Sequence, residues 1–196
     1  MTDRWTKPIM GCIKLNTDAS IIPGTGMGIG AVLRDSEGHI VTSLTRFYPE
    51  EMAIEVAEAI ACREGVYLAR NLGIQNLIAE MDSLIIFNKI REHSTDLSYV
   101  GNVVADILDV SSSFVCFEPS YVRRCGNSVA HLLARHAFSF SHSDPTIGNV
   151  PEHVIRAANV QNCDLSHREQ CFILQVAKKK KAQLAVERPL VYRPVA

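Results

Sequence analysis

The sequence predicts a mixed α/β fold, in which one five-stranded sheet carries helices packed on its faces. Two patterns support this prediction: alternating polar and apolar residues in the first part of the chain, and helix-period apolar stripes after residue 50. Together they give the element order β-β-β-α-β-α-α-β-α. Antiparallel strands followed by strand–helix alternation favour a single mixed sheet.

Three strands are predicted before the first long helix. Residues 11–18 alternate in polarity, and residues 28–34 and 39–47 form a hairpin around a tight turn at 35–38. The segment GMGIGA at 26–31 matches the glycine pattern of dinucleotide-binding loops, but that pattern requires a helix next, and here a hairpin follows. The glycines are therefore better explained by a turn and by close strand packing.

Residues 51–72 form the longest predicted helix, and Gly73 ends it. The apolar residues of this helix fall on one narrow stripe, and helical geometry places Glu58 about 40° from the centre of that stripe. Glu58 is therefore predicted to point toward the sheet. A lone carboxylate in that position would be costly, so it should have a partner.

The rest of the domain alternates strands and helices. The predicted elements are a strand at 76–82, a helix at 84–92, an amphipathic helix around 97–108, a strand at 113–122 and a last helix at 128–140. Pro119 indicates that the last strand lies at an edge or ends early. Ser83 is suited to cap the helix that follows it, and Asn127 or Ser128 is suited to cap the last helix.

The chain has 196 residues, which suits one domain, or one domain with a tail. We assign residues 1–10 to an N-terminal extension, residues 11–140 to the domain and residues 141–196 to a weakly structured tail, because periodicity weakens after residue 140. Residues 168–186 could still form a helix. It would contain Lys178 to Lys181, which are a targeting signal or simply solvated lysines.

The composition is typical of an intracellular globular protein. Hydrophobic residues make up 47% of the chain, yet no stretch approaches the ~18 apolar residues of a membrane-spanning helix. The N-terminus lacks the apolar run of a signal peptide, and the six cysteines contain no C-x-x-C pair. Reduced thiols of this kind fit the nucleus or the cytoplasm. The net charge of −1 means that any nucleic-acid binding needs local basic patches.

Three acids stand at the ends of predicted elements that could bring them together: Asp18, Glu58 and Asp82. Converging carboxylates suit hard divalent cations such as Mg²⁺ or Mn²⁺, and pairs of such ions drive phosphodiester hydrolysis. Taken singly, each acid has a simpler explanation as a turn residue, a helix surface residue or a partner of a helix N-terminus. The inward direction of Glu58 favours the metal site.

Five segments in order resemble the type 1 ribonuclease H family, and in particular its plant reverse-transcriptase-like branch, which is related to retrotransposons. They are KLNTDAS, GIGAVLRDSEGHIV, AEAIACREGVYLARNLGI, LIAEMDS and VRRCGNSVAHLLARHA. The resemblance covers about residues 11–140 and implies a ribonuclease H-like fold. It also implies hydrolysis of the RNA strand of RNA–DNA hybrids with two Mg²⁺ ions, for which Mn²⁺ could substitute. We expect a monomer that binds such a hybrid, or RNA, and no membrane.

The resemblance also implies roles for individual residues. It matches Asp18, Glu58 and Asp82 to catalytic acids that bind metal, with Asp18 bridging the two ions. His131 stands where the family has a fourth acid, and Tyr121 stands where it commonly has a histidine. His131 is included among the catalytic residues as a weak metal ligand or a proton carrier; the open alternative is an exposed histidine without a role.

Four polar residues near the acids are predicted to contact the nucleic acid: Ser20, Ser83, Arg124 and Asn127. Distinguishing RNA from DNA requires contact with the 2′-hydroxyl, and an arginine can hold a phosphate. Helix capping and simple solvation explain the same residues. Because His131 replaces an acid, a non-catalytic RNA- or hybrid-binding domain stays open, as does a transposon remnant without a selected function.

Overall fold

The computed structural model describes residues 4–140 and 144–162. Within these ranges the chain forms six strands and five α-helices. They are β1 Ile13–Ile22, β2 Gly26–Arg34, β3 Ile40–Tyr48, α1 Ile54–Asn71, β4 Asn76–Met81, α2 Leu84–Arg91, α3 Tyr99–Ser111, β5 Cys116–Tyr121, α4 Ser128–His136, β6 Thr146–Ile147 and α5 Glu152–Asn162. In this part of the chain no helix combines the length and the apolar character needed to cross a membrane.

All six strands form one mixed sheet in the order β5-β4-β1-β2-β3-β6. β1 pairs antiparallel with β2, and β2 pairs antiparallel with β3. In contrast, β4 runs parallel to β1, and β5 runs parallel to β4. The mixed sheet is therefore confirmed, but the predicted count of five strands is wrong, because β6 adds a short antiparallel pair to β3. Pro119 lies in the edge strand β5, where its missing N–H is tolerated.

Several element boundaries differ from the predictions. β1 continues to Ile22 instead of ending near residue 18, because it stays paired with β2 up to Gly26. The glycine-rich segment is therefore mostly strand, and the turn takes up only residues 23–25. The last helix ends at His136 and is followed by one 3₁₀ turn, Ala137–Ser139.

The glycines of β2 allow α4 to lie directly against the sheet. A Cβ atom on Gly30 would lie 2.3 Å from the backbone nitrogen of Ala134, and one on Gly28 would lie 2.3 Å from the carbonyl oxygen of the same residue. No side chain larger than hydrogen fits at these distances. The prediction that the glycines serve close packing is confirmed, and the dinucleotide loop is excluded because β2 leads into a hairpin.

Helices cover both faces of the sheet. The larger core lies under α1, α2 and α3 and includes Leu15, Ile29 and Ala79 from the sheet. A smaller core on the opposite face joins the sheet to α4 and α5; its buried members are Val32, Val129, Leu133, Val154, Ala157 and Ala158. Because both faces are covered, polar side chains on either face must find partners inside the protein.

The segment after residue 140 contributes to the fold as far as the structure describes it. β6 pairs with β3, and α5 packs against α4 through three buried residues, Val154, Ala157 and Ala158. This differs from the weakly structured tail that the sequence predicts. At the other end, Trp5 is buried although it belongs to the predicted extension. The predicted helix at 168–186, with its lysines, lies outside the described residues.

Candidate metal and catalytic site

The structure brings the three acids together at the centre of the sheet. Asp18 lies on β1, Asp82 directly follows the neighbouring strand β4, and Glu58 lies in the first half of α1, which packs on β1. One carboxylate oxygen from each residue lies within 4.8 Å of the others. The sequence therefore predicted the convergence correctly, including the inward direction of Glu58.

Burial makes the cluster of three carboxylates electrostatically unfavourable when no cation is bound to it. Asp18 is fully buried and Glu58 is 8% exposed. Burial, followed by the charges of Asp18 and Asp82, raises the pKa of Glu58 to about 10. Burial and the charge of Asp18 also raise the pKa of Asp82 above its ordinary value. Like charges so close in a low-dielectric site disfavour full ionisation.

The same geometry suits a hard cation. Oδ1 of Asp18 is buried and has no hydrogen-bond partner, although buried carboxylate oxygens are normally paired. The donor set consists of carboxylate oxygens only, which Mg²⁺ and Mn²⁺ prefer. Asp18, Glu58 and Asp82 are therefore the residues that could hold a divalent cation.

His131 contacts the cluster from α4. Its Nδ1 lies 2.7 Å from Oδ2 of Asp18, and its side chain is only 14% exposed. Because a carboxylate only accepts, the Nδ1–H of His131 donates this hydrogen bond. His131 is therefore not an exposed histidine, and its role in the site stays a prediction. The contact occupies one oxygen of Asp18 and leaves the other, Oδ1, unpartnered.

Arg124 lies at the open side of the cluster. Its side chain is 63% exposed, and its NH1 lies 3.5 Å from Oδ2 of Asp82. Its NH2 lies 3.2 Å from Nδ1 of His131. The charge of Arg124 partly offsets the burial that raises the pKa of Asp82. A guanidinium placed in this way remains accessible to a phosphate group.

Asn127 holds the cluster from inside the protein. It is fully buried, and its Nδ2 donates to Oδ1 of Asp82 at 2.7 Å and to the carbonyl oxygen of Thr17 at 2.7 Å. Its side chain makes no capping hydrogen bond to α4. The predicted contact of Asn127 with nucleic acid is therefore corrected: no surface is left for one, and the side chain positions Asp82 instead.

The other predicted contact residues lie near the site but are not engaged by it. Ser20 and Ser83 are half-buried. Ser83 precedes α2 without a side-chain capping bond, so the predicted capping role is wrong. Ser20 and Ser83 stay predictions as contacts to nucleic acid. Tyr121, in place of the expected histidine, packs its ring 6.0 Å from that of Phe87.

Sequence reasoning missed a buried polar network behind the acids. Glu80 accepts from Nζ of Lys14 at 3.0 Å and from Nδ2 of Asn16 at 2.9 Å. Arg34 donates from NH2 to Oδ1 of Asn16 at 2.8 Å. The signal was the strand alternation itself, since Lys14 and Asn16 share a face of β1 with Asp18. On a sheet covered on both sides, such residues must pair.

Comparison with known sequences identifies the family of the chain. The sequence profile described as reverse transcriptase-like matches residues 16–137, well over half of the chain. The chain belongs to this family. The acids and His131 all lie within the part that matches the reverse transcriptase-like profile. None of the curated proteins matches the chain.

Solved structures show that this reverse transcriptase-like chain has the ribonuclease H-like fold. The N-terminal RNase H domain of a Mycobacterium tuberculosis protein superposes with a TM-score of 0.60 at 18% identity, over 65% of this chain and 94% of that one. RNase H1 of Halobacterium salinarum superposes with a TM-score of 0.60 at 17% identity, over 65% of this chain and 98% of that one. LC11-RNase H1, solved in complex with an RNA/DNA hybrid, superposes with a TM-score of 0.59 at 19% identity, over 65% of this chain and 96% of that one. The fold predicted from the resemblance is confirmed.

Proposed function

We propose that this protein hydrolyses the RNA strand of RNA–DNA hybrids in a reaction that depends on divalent metal ions. The observation that carries the proposal is the convergence of Asp18, Glu58 and Asp82 within 4.8 Å on a ribonuclease H-like fold. An acid cluster this deeply buried is costly without cations. Ribonuclease H enzymes of the same fold, one of them solved with a hybrid, support the substrate class.

Asp18, Glu58 and Asp82 would hold the metal, which we propose to be two Mg²⁺ ions with Mn²⁺ as a substitute. Such ions supply an activated water and stabilise the leaving oxygen when they are bound. Asp18, on the central strand β1, would hold metal through Oδ1, which has no hydrogen-bond partner. Glu58 and Asp82 approach it from α1 and from the end of β4.

The remaining residues hold the acids and face the substrate. The Nδ1–H of His131 donates a hydrogen bond to Oδ2 of Asp18, which fixes the orientation of that carboxylate. Asn127 fixes Asp82 in the same way. Arg124, which is mostly exposed, is proposed to hold a phosphate of the substrate next to the acids. Ser20 and Ser83 are proposed as further polar contacts.

Cleavage of a labelled hybrid tests the proposal. The full chain should cut the RNA strand in Mg²⁺ or Mn²⁺ and leave single-stranded DNA and duplex DNA intact. Attack by water leaves a 3′-hydroxyl and a 5′-phosphate, whereas attack by the 2′-hydroxyl of RNA leaves a cyclic phosphate. Products with cyclic ends, or no cleavage with either metal, would contradict the proposal.

A second candidate function is metal-dependent or metal-free binding of hybrids without turnover. The observation that favours it is His131, because an imidazole replaces the fourth oxygen ligand and hard cations prefer oxygen. Tight binding of the labelled hybrid without cleavage would support this function. Absence of both metal binding and nucleic-acid binding would instead indicate a transposon remnant.

Replacing His131 with aspartate separates the two candidates. We expect His131→Asp to raise Mn²⁺ affinity about tenfold, since changes around metal ligands typically alter affinity by 10–100-fold, and to raise the rate of hybrid cleavage. Isothermal titration and the cleavage assay measure these effects. His136→Asp adds the same charge to the same helix and should change neither. Unchanged affinity and rate in His131→Asp would show that the fourth position does not limit the site.

We further propose that the protein acts as a monomer in the nucleus or the cytoplasm. The four cysteines within the described residues are free thiols, as expected for a reducing compartment. Size-exclusion chromatography with light scattering tests the oligomeric state.

Burial raises the pKa of Cys62 to about 12, so it should resist alkylation in the folded protein, whereas Cys116 and Cys125 are exposed.

A further inference from the structure

We propose that Gln161, near the end of α5, is a positioning residue for the candidate metal site. It would act through the hydrogen-bond network that orients Asn127, the residue that holds Asp82. Gln161 lies outside the segment 16–137 that matches the family profile. The inference rests on the proposed function for its catalytic meaning, but the hydrogen-bond network is testable without it.

The amide nitrogen of Gln161 binds the turn that carries Asn127. Nε2 donates to the carbonyl oxygen of Gly126 at 2.9 Å and to Oγ of Ser128 at 2.9 Å, with a longer contact of 3.3 Å to the carbonyl oxygen of Cys125. Gln161 is 4% exposed, so water does not compete for these bonds. The residues on both sides of Asn127 are therefore held by one side chain.

The amide oxygen of Gln161 begins a second connection. Oε1 accepts from NH1 of Arg34 at 2.9 Å, and NH2 of Arg34 donates to Oδ1 of Asn16 at 2.8 Å. Nδ2 of Asn16 then donates to Oδ1 of Asn127 at 3.3 Å. Arg34 is fully buried, and its guanidinium lies 3.6 Å from the ring centre of Trp5. Both connections from Gln161 thus meet at Asn127.

The second connection stabilises the orientation of the Asn127 amide that the acceptors Asp82 and Thr17 also select. Because Oδ1 of Asn127 accepts from Asn16, its Nδ2 is directed to Asp82 and to the carbonyl oxygen of Thr17. A rotated amide would place oxygen against both acceptors and would lose all three hydrogen bonds. Fixing this orientation keeps Oδ1 of Asp82 in place beside the other two carboxylates.

The full chain carrying Gln161→Met tests the network. Methionine has a similar length and removes both the donor and the acceptor. Asn162→Ala is the matched control, since Asn162 is the next residue of α5 and donates to the carbonyl oxygen of Gly38, in the β2–β3 turn. In metal-free protein, the side-chain amide resonances of Asn127 should shift or broaden in Gln161→Met and stay unchanged in Asn162→Ala. Unchanged resonances in both variants would overturn the inference.

Metal affinity and kinetics provide the second readout. Gln161→Met should weaken Mn²⁺ binding about tenfold, the effect typical of outer-shell partners, and should lower kcat with little change in KM for the hybrid. Asn162→Ala should change neither. Equal Mn²⁺ affinity in Gln161→Met and wild type would mean a purely structural role and would overturn the inference, even if the melting temperature fell.

A variant that does not fold can be told apart from a failure of the proposed function. If Gln161→Met does not fold, Gln161→Glu replaces it: this variant keeps the acceptor for Arg34, adds a negative charge beside that guanidinium and removes the donor to Gly126 and Ser128, so it should still disturb the Asn127 resonances. If the wild-type chain neither binds Mn²⁺ nor cleaves a hybrid, the proposed function fails. The Asn127 resonances then decide the positioning role by themselves.

Discussion

Replacing Asp18 with asparagine is expected to lower the rate of hybrid cleavage by more than about 100-fold. Loss of an outer-shell partner alone lowers metal affinity or activity by 10–100-fold, and Asp18 lies at the centre of the cluster with an unpartnered oxygen. Asparagine keeps the shape of the side chain but removes its charge, so the loss should fall on metal binding. Initial rates on a labelled hybrid in Mn²⁺ measure the effect.

The control for this prediction is Asp109→Asn, which makes the same chemical change at an exposed position on α3. It should cleave at the wild-type rate. Circular dichroism should show that Asp18→Asn is folded, since removing one of several buried like charges relieves repulsion. Wild-type activity in Asp18→Asn, or the same loss in both variants, would mean that the acid cluster is not the site of hydrolysis.

Replacing Glu58 with glutamine is expected to stabilise the metal-free protein at pH 8 by several kcal/mol, because holding a proton roughly 3.5 pH units above the ordinary pKa of 4.5 costs about 1.4 kcal/mol per unit. Burial and the neighbouring acids raise the pKa of Glu58 to about 10. The folded state therefore keeps a proton that the unfolded chain releases near pH 4.5. Glutamine needs no proton to be neutral, so it avoids this penalty.

The sign of the pH dependence follows from the raised pKa. The contribution of Glu58 to stability is fully present below about pH 4.5 and is lost as the pH rises toward about 10. The free energy of unfolding, measured with urea in EDTA, should fall less between pH 5 and pH 8 for Glu58→Gln than for wild type. Glu55→Gln, on the same helix but outside the acid cluster, should behave as wild type. Destabilisation of Glu58→Gln at pH 8 would contradict the prediction.

The acid site could largely be predicted from the sequence because its members lie on strongly periodic elements. Alternation located β1 and β4, whose neighbouring positions bring Asp18 and Asp82 together. The apolar stripe of α1 predicts that Glu58 points toward the sheet, and this prediction needs no knowledge of the residues it contacts. These are local properties of each segment, and the parallel pairing of β1 with β4 turns them into one site.

The parts that could not be predicted depend on contacts between distant segments. Arg34 and Gln161 are 127 residues apart, and nothing in either segment specifies the other. Two of the four buried residues of α5 are alanines, Ala157 and Ala158, so its apolar stripe is weak in the sequence. A strand as short as β6 has no measurable period. Asparagine or serine before a helix normally caps it, so the sequence predicts a cap at Asn127 or Ser128, whereas the side chain of Asn127 makes no capping bond and holds Asp82.

Calorimetric titration of the full chain with Mn²⁺ at pH 7, in two buffers of different ionisation enthalpy, tests most directly whether the three acids form a metal site. Metal binding requires deprotonated ligands, and Glu58, with its pKa near 10, holds a proton in the free protein. We predict saturable binding that releases about one proton and is lost in Asp18→Asn. No binding, or equal binding in Asp18→Asn, would contradict a metal site at Asp18, Glu58 and Asp82.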